Sequence, residues 1–158
     1  MFNVVLFEPE IPPNTGNIIR LCANIGATLH LIKPLGFDLE DKKLRRAGLD
    51  YREFVNINIH DNYTAFLSEI NSVRIFACST RGKKYYSDIQ FQKDDIFLFG
   101  PETRGLPKKI LDDMENDQII RLPMLPESRS LNLSNATAAI LYEAWRQNDF
   151  AGAENDTR

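Results

Sequence analysis

The chain has 158 residues, of which 43% are hydrophobic and 26% are charged, with 19 Lys and Arg against 22 Asp and Glu. These fractions are typical of a globular protein and exclude the intrinsically disordered and membrane-spanning classes. The net charge of −3 gives no overall attraction to nucleic acid. The length fits one domain, which we predict at 1–150, followed by a disordered tail at 151–158.

The opening residues, MFNVVLFEPE, lack the basic segment and apolar stretch of a secretory signal, and no apolar run is long enough for a bilayer. We therefore expect a cytoplasmic protein without a membrane segment. The two cysteines, Cys22 and Cys78, and the two histidines, His30 and His60, are too few and too scattered for a metal site. We expect buried cysteines, structural or surface histidines, and no metal.

Short apolar runs rich in β-branched residues alternate with amphipathic helical patterns along the chain. The predicted strands are VVLFE (4–8), TLHLI (28–32), FVNINI (54–59), VRIFACS (73–79), DIFLFG (95–100) and QIIRLP (118–123). The predicted helices run from about Asn14 to Ile25, from Asp38 to Gly48, from Asn62 to Ile70, over a short stretch from Pro107, and from Ser134 to Gln147. Together they predict a three-layer α/β domain whose mainly parallel sheet is covered on both faces.

The first predicted helix has distinct apolar and polar stripes. Its apolar stripe contains Ile18, Cys22 and Ile25. Arg20 lies on the opposite stripe with Asn17 and Asn24, so no packing requirement explains an arginine there. It is either an ordinary solvated residue or a functional one. Asn14 or Thr15 is available to cap the helix.

Ligand sites in open α/β sheets lie beyond the carboxyl ends of the strands. Three loops at such ends have unusual sequences: EPEIPPNTGNIIR (8–20), FGPETRGLP (99–107) and RLPMLPESRSLNLSN (121–135). Motifs of dinucleotide folds, P-loop NTPases and serine hydrolases are absent. In the second loop, Gly100 and Gly105 permit a tight turn and close approach to a ligand, while Glu102 and Arg104 project from it. The alternative is a plain β-turn.

The third loop crowds polar side chains around a helix start: Ser128, Arg129, Ser130, Asn132, Ser134 and Asn135. One helix cap needs one such residue, so the cluster indicates a further role. In the helix that follows, Asn135, Tyr142 and Arg146 share a face that suits RNA or a partner subunit. An ordinary exposed face is the alternative.

Three segments resemble, in the right order, the three motifs of the SPOUT superfamily in its SpoU branch of RNA ribose 2'-O-methyltransferases. They are PPNTGNIIRLCANIGA (12–27), LFGPETRGLP (98–107) and IRLPMLPESRSLNLSNATAAILYEAWR (120–146). The likeness covers nearly the whole chain without an appended RNA-binding domain. In this the chain resembles the minimal tRNA (cytidine/uridine-2'-O-)-methyltransferases of the anticodon wobble nucleotide, position 34.

The resemblance implies a fold and an activity. The fold would be an α/β knot, in which the C-terminal third threads through a loop as a deep trefoil knot, an exception to the usual connection rules. The activity would be methylation of a ribose 2'-hydroxyl in tRNA by S-adenosyl-L-methionine, with S-adenosyl-L-homocysteine as the product. The enzyme would be a homodimer with its active site near the subunit interface.

The resemblance also implies residue roles. Arg20 would be catalytic, with Asn14, Glu102, Ser128 and Asn135 as supporting polar residues. The cofactor would contact Cys78, Ser79, Thr80, Gly100, Pro101, Glu102, Gly105, Ile120, Leu122, Pro123, Ser130, Leu131 and Asn135. RNA would contact Arg20, Lys42, Arg45, Arg46, Tyr142 and Arg146. The basic run from Arg81 to Lys84 is a further candidate for phosphate contacts, with a solvated face as the alternative.

A guanidinium stays protonated in proteins, so we expect Arg20 to position the ribose or a phosphate and to stabilise negative charge, while water takes the proton. Two other functions remain open. One is an RNA-binding or RNA-chaperone protein of methyltransferase descent without significant catalysis. The other is a nucleotide-binding module that binds the cofactor without any dependence on RNA.

Overall fold

The computed structural model describes residues 1–40, 42, 44, 56–71 and 74–154. Within them, seven strands form one sheet: β1 (Asn3–Phe7), β2 (Thr28–Ile32), β3 (Ile57–His60), β4 (Ile75–Cys78), β5 (Lys84–Tyr85), β6 (Ile96–Phe99) and β7 (Ile119–Arg121). Their order across the sheet is β3-β2-β1-β6-β4-β7-β5, and all the neighbouring pairs are parallel. The parallel sheet is confirmed.

Four α-helices have residue bounds within the described part of the chain: α1 (Pro12–Ile25), α2 (Tyr63–Glu69), α3 (Lys108–Asp112) and α4 (Leu133–Gln147). Short 3-10 helices cover Tyr86–Asp88 and Asn116–Gln118. The predicted helix at 38–48 lies mostly outside the described residues, although residues 42 and 44 are helical and Leu44 is fully buried. Ahead of it, Asp38 accepts a hydrogen bond from the backbone N–H of Glu40.

The prediction that Asn14 or Thr15 caps α1 is wrong. The helix begins two residues earlier, at Pro12, and its N-cap residue Ile11 makes no side-chain cap hydrogen bond. Two prolines in the first turn explain the early start, because each has its φ fixed near the helical value and lacks an N–H that would need a partner. Asn14 is thereby free to serve another role.

Helices cover both faces of the sheet, which confirms the three-layer arrangement. On one face α1 packs against α4, and Ile18, Cys22 and Ile140 contribute to a core with alternate strand residues such as Phe97. The other face has its own core, which contains Leu98 with Phe66 of α2 and Leu111 of α3. The alternation of Phe97 and Leu98 between the two cores follows from the two-residue period of a strand.

The sheet order places four strand ends together. β6 lies between β1 and β4, and β7 lies between β4 and the edge strand β5, so the carboxyl ends of β1, β6, β4 and β7 are neighbours. The two-residue strand β5 was not predicted, since a pair of residues carries no periodic signal. The trefoil knot stays a prediction of the family resemblance. No helix in the described ranges is long and apolar enough to cross a membrane.

Both histidines are structural and buried. Nδ1 of His30 lies 2.9 Å from Nε2 of His60, and the two rings stack between β2 and β3 with Phe66 edge-on to both. Nε2 of His30 lies 3.3 Å from Oδ1 of Asn3, and a carboxylate oxygen of Glu69 lies 3.2 Å from Nδ1 of His60. Burial, followed by the adjacent His60, lowers the pKa of His30 to about 4.

Candidate functional site

A cavity of about 480 Å³ lies at the carboxyl ends of the central strands. All three segments with unusual sequences contribute to its wall, together with the loop after β4. The lining residues are Ile11, Asn14, Cys78, Ser79, Thr80, Arg81, Phe99, Gly100, Pro101, Glu102, Thr103, Arg104, Gly105, Leu106, Ile120, Arg121, Leu122, Met124, Ser130, Leu131, Asn132, Leu133, Ala136 and Ile140. The volume and the mixed lining are typical of a small-molecule site.

The loop after β6 is compact because a glycine begins it. A Cβ on Gly100 would overlap the backbone nitrogen of Leu106 and the carbonyl carbon of Gly105. The loop therefore closes on itself at this point, helped by the left-handed φ of +68° at Gly105 and by the hydrogen bond from Gly105 N–H to Pro101. The turn holds Glu102 against the start of α1.

Glu102 binds the backbone of the two residues just before α1. Its Oε2 accepts a hydrogen bond from the backbone N–H of Glu10 at 2.8 Å, and its Oε1 accepts one from Ile11 at 3.0 Å. Oε1 also accepts a hydrogen bond from the side-chain amide of Asn14 at 3.3 Å. A carboxylate near the first turn of a helix is favoured by the helix dipole. The second motif thus fixes the entry to the first helix.

Asn14 also makes a hydrogen bond to the third segment. Its Oδ1 accepts a hydrogen bond from Nδ2 of Asn132 at 3.0 Å. Asn132 is the N-cap of α4, and its own Oδ1 accepts from the backbone N–H groups of Ser134 and Asn135. One relay, Glu102–Asn14–Asn132, therefore joins all three motifs across the cavity wall.

A second set of contacts clamps the first and second segments together. Arg104 pairs with Glu8 at 2.6 Å and approaches Glu10 at 3.5 Å, while the Thr103 hydroxyl donates to the Glu10 carboxylate. The hydrogen bond to Glu8 raises the pKa of Arg104. Glu8 itself has a φ of 47°, an unfavourable conformation for a non-glycine residue, so the surrounding contacts must hold it.

The loop after β4 forms the opposite part of the wall. Ser79 N–H donates to the carbonyl of Ile120 at 2.9 Å, which ties this loop to β7. Cys78, at the end of β4, lines the cavity, and burial raises the pKa of its thiol. A thiol that resists ionisation is a poor nucleophile, so Cys78 acts as an apolar wall residue. Burial raises the pKa of Cys22 in the same way, to about 12, and both cysteines are free.

Most of the residues predicted to contact the cofactor meet at this cavity. These are Cys78, Ser79, Thr80, Gly100, Pro101, Glu102, Gly105, Ile120, Leu122, Ser130 and Leu131. Pro123 and Asn135 do not line it, and the Asn135 side chain is exposed. Among the predicted catalytic and supporting residues, Asn14 and Glu102 line the cavity, whereas Ser128 lies exposed on a turn outside it.

The described residues among the predicted RNA contacts do not line the cavity. Arg20 is exposed on α1 and Lys42 is exposed. On α4, exposed Tyr142 packs edge-on against Trp145, with ring centroids 5.8 Å apart. Arg146 donates two hydrogen bonds to Glu143, at 2.8 and 2.9 Å, which neutralises much of its charge. The predicted contacts at positions 45 and 46 lie outside the described residues.

Sequence reasoning missed the role of Asn132. The sequence analysis placed Asn132 in the polar cluster but named Asn135, and not Asn132, as a supporting residue. The only sequence signal was that Asn132 is an N-cap residue type directly before an apolar helical pattern. Clusters of His, Cys, Asp or Glu that would hold a metal ion are absent from the described residues.

Residues 1–142 match the family model described as the SpoU rRNA Methylase family. A protein of Methylovorus glucosotrophus (strain SIP3-4), named tRNA (cytidine(34)-2'-O)-methyltransferase, is 60% identical over 97% of this chain and 99% of its own. A solved structure described as giving structural insights into the 2-OH methylation of C/U34 on tRNA is 45% identical. It has a TM-score of 0.88 and covers 94% of this chain and 97% of that chain.

A more distant likeness includes a bound cofactor. The SpoU methyltransferase AviRb from Streptomyces viridochromogenes, solved in complex with AdoMet, is 26% identical with a TM-score of 0.80. The match covers 96% of this chain and 58% of that one.

Proposed function

The chain belongs to the SpoU rRNA methylase family, and on that premise we propose that it methylates the ribose 2'-hydroxyl of nucleotide 34 in tRNA. The methyl donor is S-adenosyl-L-methionine and the acceptor nucleotide is cytidine or uridine. The observation that carries the proposal is the meeting of three separate sequence segments in one cavity, joined by the Glu102–Asn14–Asn132 relay. The substrate class follows from the full-length relative at 60% identity.

The cavity fits the proposed cofactor in size and chemistry. Its volume of about 480 Å³ suits a molecule that is part aromatic and part amino acid. Ile120, Leu122 and Leu131 would hold the apolar part, and the backbone around Gly100 and Gly105 would supply polar contacts. When bound, the cofactor supplies an activated methyl group on a sulfonium that leaves as a neutral thioether.

The residues of the relay would orient rather than react. Glu102 is committed to two backbone N–H groups and to Asn14, so its carboxylate holds the loop that borders the cavity. The Asn14 side chain donates to Glu102 and accepts from Asn132, so its amide orientation is fixed. Such fixed polar groups lower the barrier by positioning the reactants, because aligned groups need little rearrangement during the reaction.

Arg20 would act on the RNA. It is exposed on α1, outside the lining of the cavity, where a large substrate would contact it. The planar guanidinium would hold the ribose or an adjacent phosphate through two hydrogen bonds and stabilise the charge that develops on the 2'-oxygen. Water would accept the hydroxyl proton, since a guanidinium is a poor base.

A homodimer would complete the site. The loop after β7 exposes Leu125 by 81%, and its sequence neighbour Met124 lines the cavity together with the half-exposed Leu131. Exposed apolar side chains at a functional cavity are typical of an interface. A second copy of the chain over this loop would bury them and place the active site near the interface. Sedimentation of the wild type and of Leu125→Glu tests this, and we expect the variant to dissociate.

The activity is tested by incubating the protein with S-adenosyl-L-methionine and tRNA from cells that lack it, followed by digestion to nucleosides and mass spectrometry. We expect an added methyl mass on cytidine or uridine that stays with the ribose fragment. A methyl mass on the base fragment would contradict the proposal. Cofactor binding without any RNA methylation would favour the RNA-binding alternative. A cytoplasmic location would follow from the tRNA partner.

A further inference from the structure

A basic segment borders the cavity on the β5 side of the sheet. Arg81, Lys83 and Lys84 are exposed, and the stretch 81–85 contains no acidic residue. Lys84 and Tyr85 form the edge strand β5, which pairs with β7 so that Tyr85 lies opposite Arg121. Arg81 and Arg121 both line the cavity. The basic side chains therefore lead from the sheet edge into the cavity mouth.

Arg121 is held ready for a ligand that accepts hydrogen bonds. Its guanidinium carbon lies 5.0 Å from the ring centroid of Tyr85, a cation–π contact that fixes the group without using its N–H donors. Its Nε is buried and has no hydrogen-bond partner among the described residues. The side chain as a whole is only half-buried, so an anion at the cavity mouth would meet the terminal N–H groups that the ring contact leaves unused.

The charges differ between the two sides of the cavity mouth. Arg104 is neutralised by Glu8 and Glu10, and Glu102 is bound to the start of α1. By contrast, Arg81 and Arg121 make no ion pair within the described ranges of the chain. The excess of positive charge is therefore confined to the β5 side of the cavity, where Arg81, Lys83, Lys84 and Arg121 favour an anionic partner.

Three acidic residues lie near this segment, and two of them make contacts of their own. Asp88 accepts a hydrogen bond from the backbone N–H of Tyr85. On its other side, Arg81 faces a hollow whose lining includes Asp112 and Glu115, and Asp112 is paired with Lys108. Glu115 makes no ion pair among the described residues and offsets part of the charge on that side, so the segment keeps a smaller net positive charge towards the cavity mouth and solvent.

We infer that Arg81, Lys83, Lys84 and the Tyr85-supported Arg121 bind the phosphodiester backbone of the substrate RNA beside the target nucleotide. This rests on the proposed function. Arg121, with its fixed planar donors, sets the register of one phosphate, while the flexible lysines hold neighbouring phosphates less specifically. A continuous run of cations that extends beyond the cavity suits a polyanion better than the single carboxylate of the cofactor.

The test compares Arg121→Gln and the double variant Lys83→Gln/Lys84→Gln with wild type. Binding of tRNA is measured by fluorescence anisotropy over a series of KCl concentrations, and cofactor binding is measured by calorimetry without RNA. Each lost phosphate contact should reduce the slope of log K against log salt by about 0.7–0.9. We expect Arg121→Gln to weaken tRNA binding roughly tenfold, with the Kd of the cofactor unchanged.

Matched variants separate charge from folding. Lys93→Gln removes the same charge from an exposed lysine just before β6, at the amino-terminal edge of the sheet, and should leave the salt slope unchanged. Tyr85→Phe keeps the ring under Arg121 and should bind tRNA normally, whereas Tyr85→Ala should reproduce part of the Arg121→Gln defect. Arg121→Lys, which retains charge without the planar fork, should restore the slope but only part of the affinity.

Two results would overturn the inference and leave the proposed function standing. The first is methyl transfer to tRNA with a salt slope and affinity that do not change in the patch variants. The second is a loss of cofactor affinity in Arg121→Gln, which would assign the anion to the carboxylate of the cofactor. A wild-type protein that binds tRNA through this patch but transfers no methyl group would instead contradict the proposed function alone.

Discussion

The side-chain amide of Asn132 donates a hydrogen bond to Oδ1 of Asn14, 3.0 Å away and 118 residues earlier in the chain. Because Asn14 also donates to Glu102, a single amide joins the three segments that line the cavity. The same Asn132 caps α4 through its own oxygen. One residue therefore fixes both the start of a helix and the geometry of the site.

Asn132→Asp separates these two roles. The carboxylate still caps α4, but it replaces the donor facing Asn14 with a charged acceptor, so two acceptors would then oppose each other. We expect the midpoint of urea unfolding to change little and turnover in the methylation assay to fall at least roughly tenfold.

Asn62→Asp is the matched control, because Asn62 caps α2 through its Oδ1 in the same way and lies outside the cavity lining. It should leave turnover unchanged. Equal turnover in Asn132→Asp and wild type would show that the relay has no part in the reaction.

Gly100→Ala should damage the cofactor site. The added Cβ would meet the backbone of Gly105 and Leu106, which cannot move away as a flexible side chain does. We expect a loss of several kcal/mol in the free energy of unfolding or a displaced loop with cofactor affinity reduced beyond detection by calorimetry.

Gly105→Ala provides the comparison in the same loop. It meets no atom within 4 Å and suffers only the strain of a positive φ, about 1–2 kcal/mol. If Gly100→Ala bound the cofactor as tightly as Gly105→Ala, the close turn would not be needed for the site.

The His30–His60 pair predicts lower stability in acid. Burial and His60 lower the pKa of His30 from 6.5 to about 4, so between these values the unfolded chain binds more protons than the folded one. The free energy of unfolding should therefore be unaffected by His30 above pH 6.5. It should fall by up to about 3 kcal/mol as the pH drops towards 4.

Urea unfolding at pH 7.5, 5.5 and 4.5 measures this loss, and His30→Gln supplies the reference because it removes the titration while other acid-sensitive groups remain. The wild type should lose more stability than the variant over this window. Parallel losses in the two proteins would mean that His30 takes no part. Asn3, Phe66 and Glu69, which surround the pair, are common to both proteins.

Arg20→Lys tests how the exposed arginine acts. Lysine keeps the charge but lacks the planar pair of donors that would hold a ribose or phosphate. We expect turnover to fall at least roughly tenfold while the Kd of the cofactor stays the same. Near-normal turnover with an unchanged pH profile would exclude a role for Arg20 as a base. It would also exclude a role that depends on the planar pair of N–H donors.

Periodic patterns predicted much of the fold. The apolar stripe of α1 is confirmed, with Ile18, Cys22 and Ile25 buried, because helix period and burial are set by the same geometry. The start of α1 was mispredicted because Pro12 and Pro13 were placed before the helix, whereas they form its first turn. Strand β5 exists only through its pairing with β7, which two residues cannot reveal.

The site was predictable in outline rather than in detail. The polar residues of the third loop were recognisable as a cluster, yet Asn132 rather than Asn135 meets Asn14. That choice depends on how the loop after β7 returns to α1, a tertiary relationship without any local sequence signal. Likewise, the contact between Arg121 and the Tyr85 ring joins two strands and has no local sequence signal.

The most direct measurement is transfer of a labelled methyl group from S-adenosyl-L-methionine to tRNA from cells lacking this protein, followed by alkaline digestion. A 2'-O-methyl group removes the nucleophile that cleaves the adjacent phosphodiester bond. We predict label in an alkali-resistant dinucleotide whose first base is the cytidine or uridine at position 34. Label recovered in mononucleotides would mean base methylation and would contradict the proposed function.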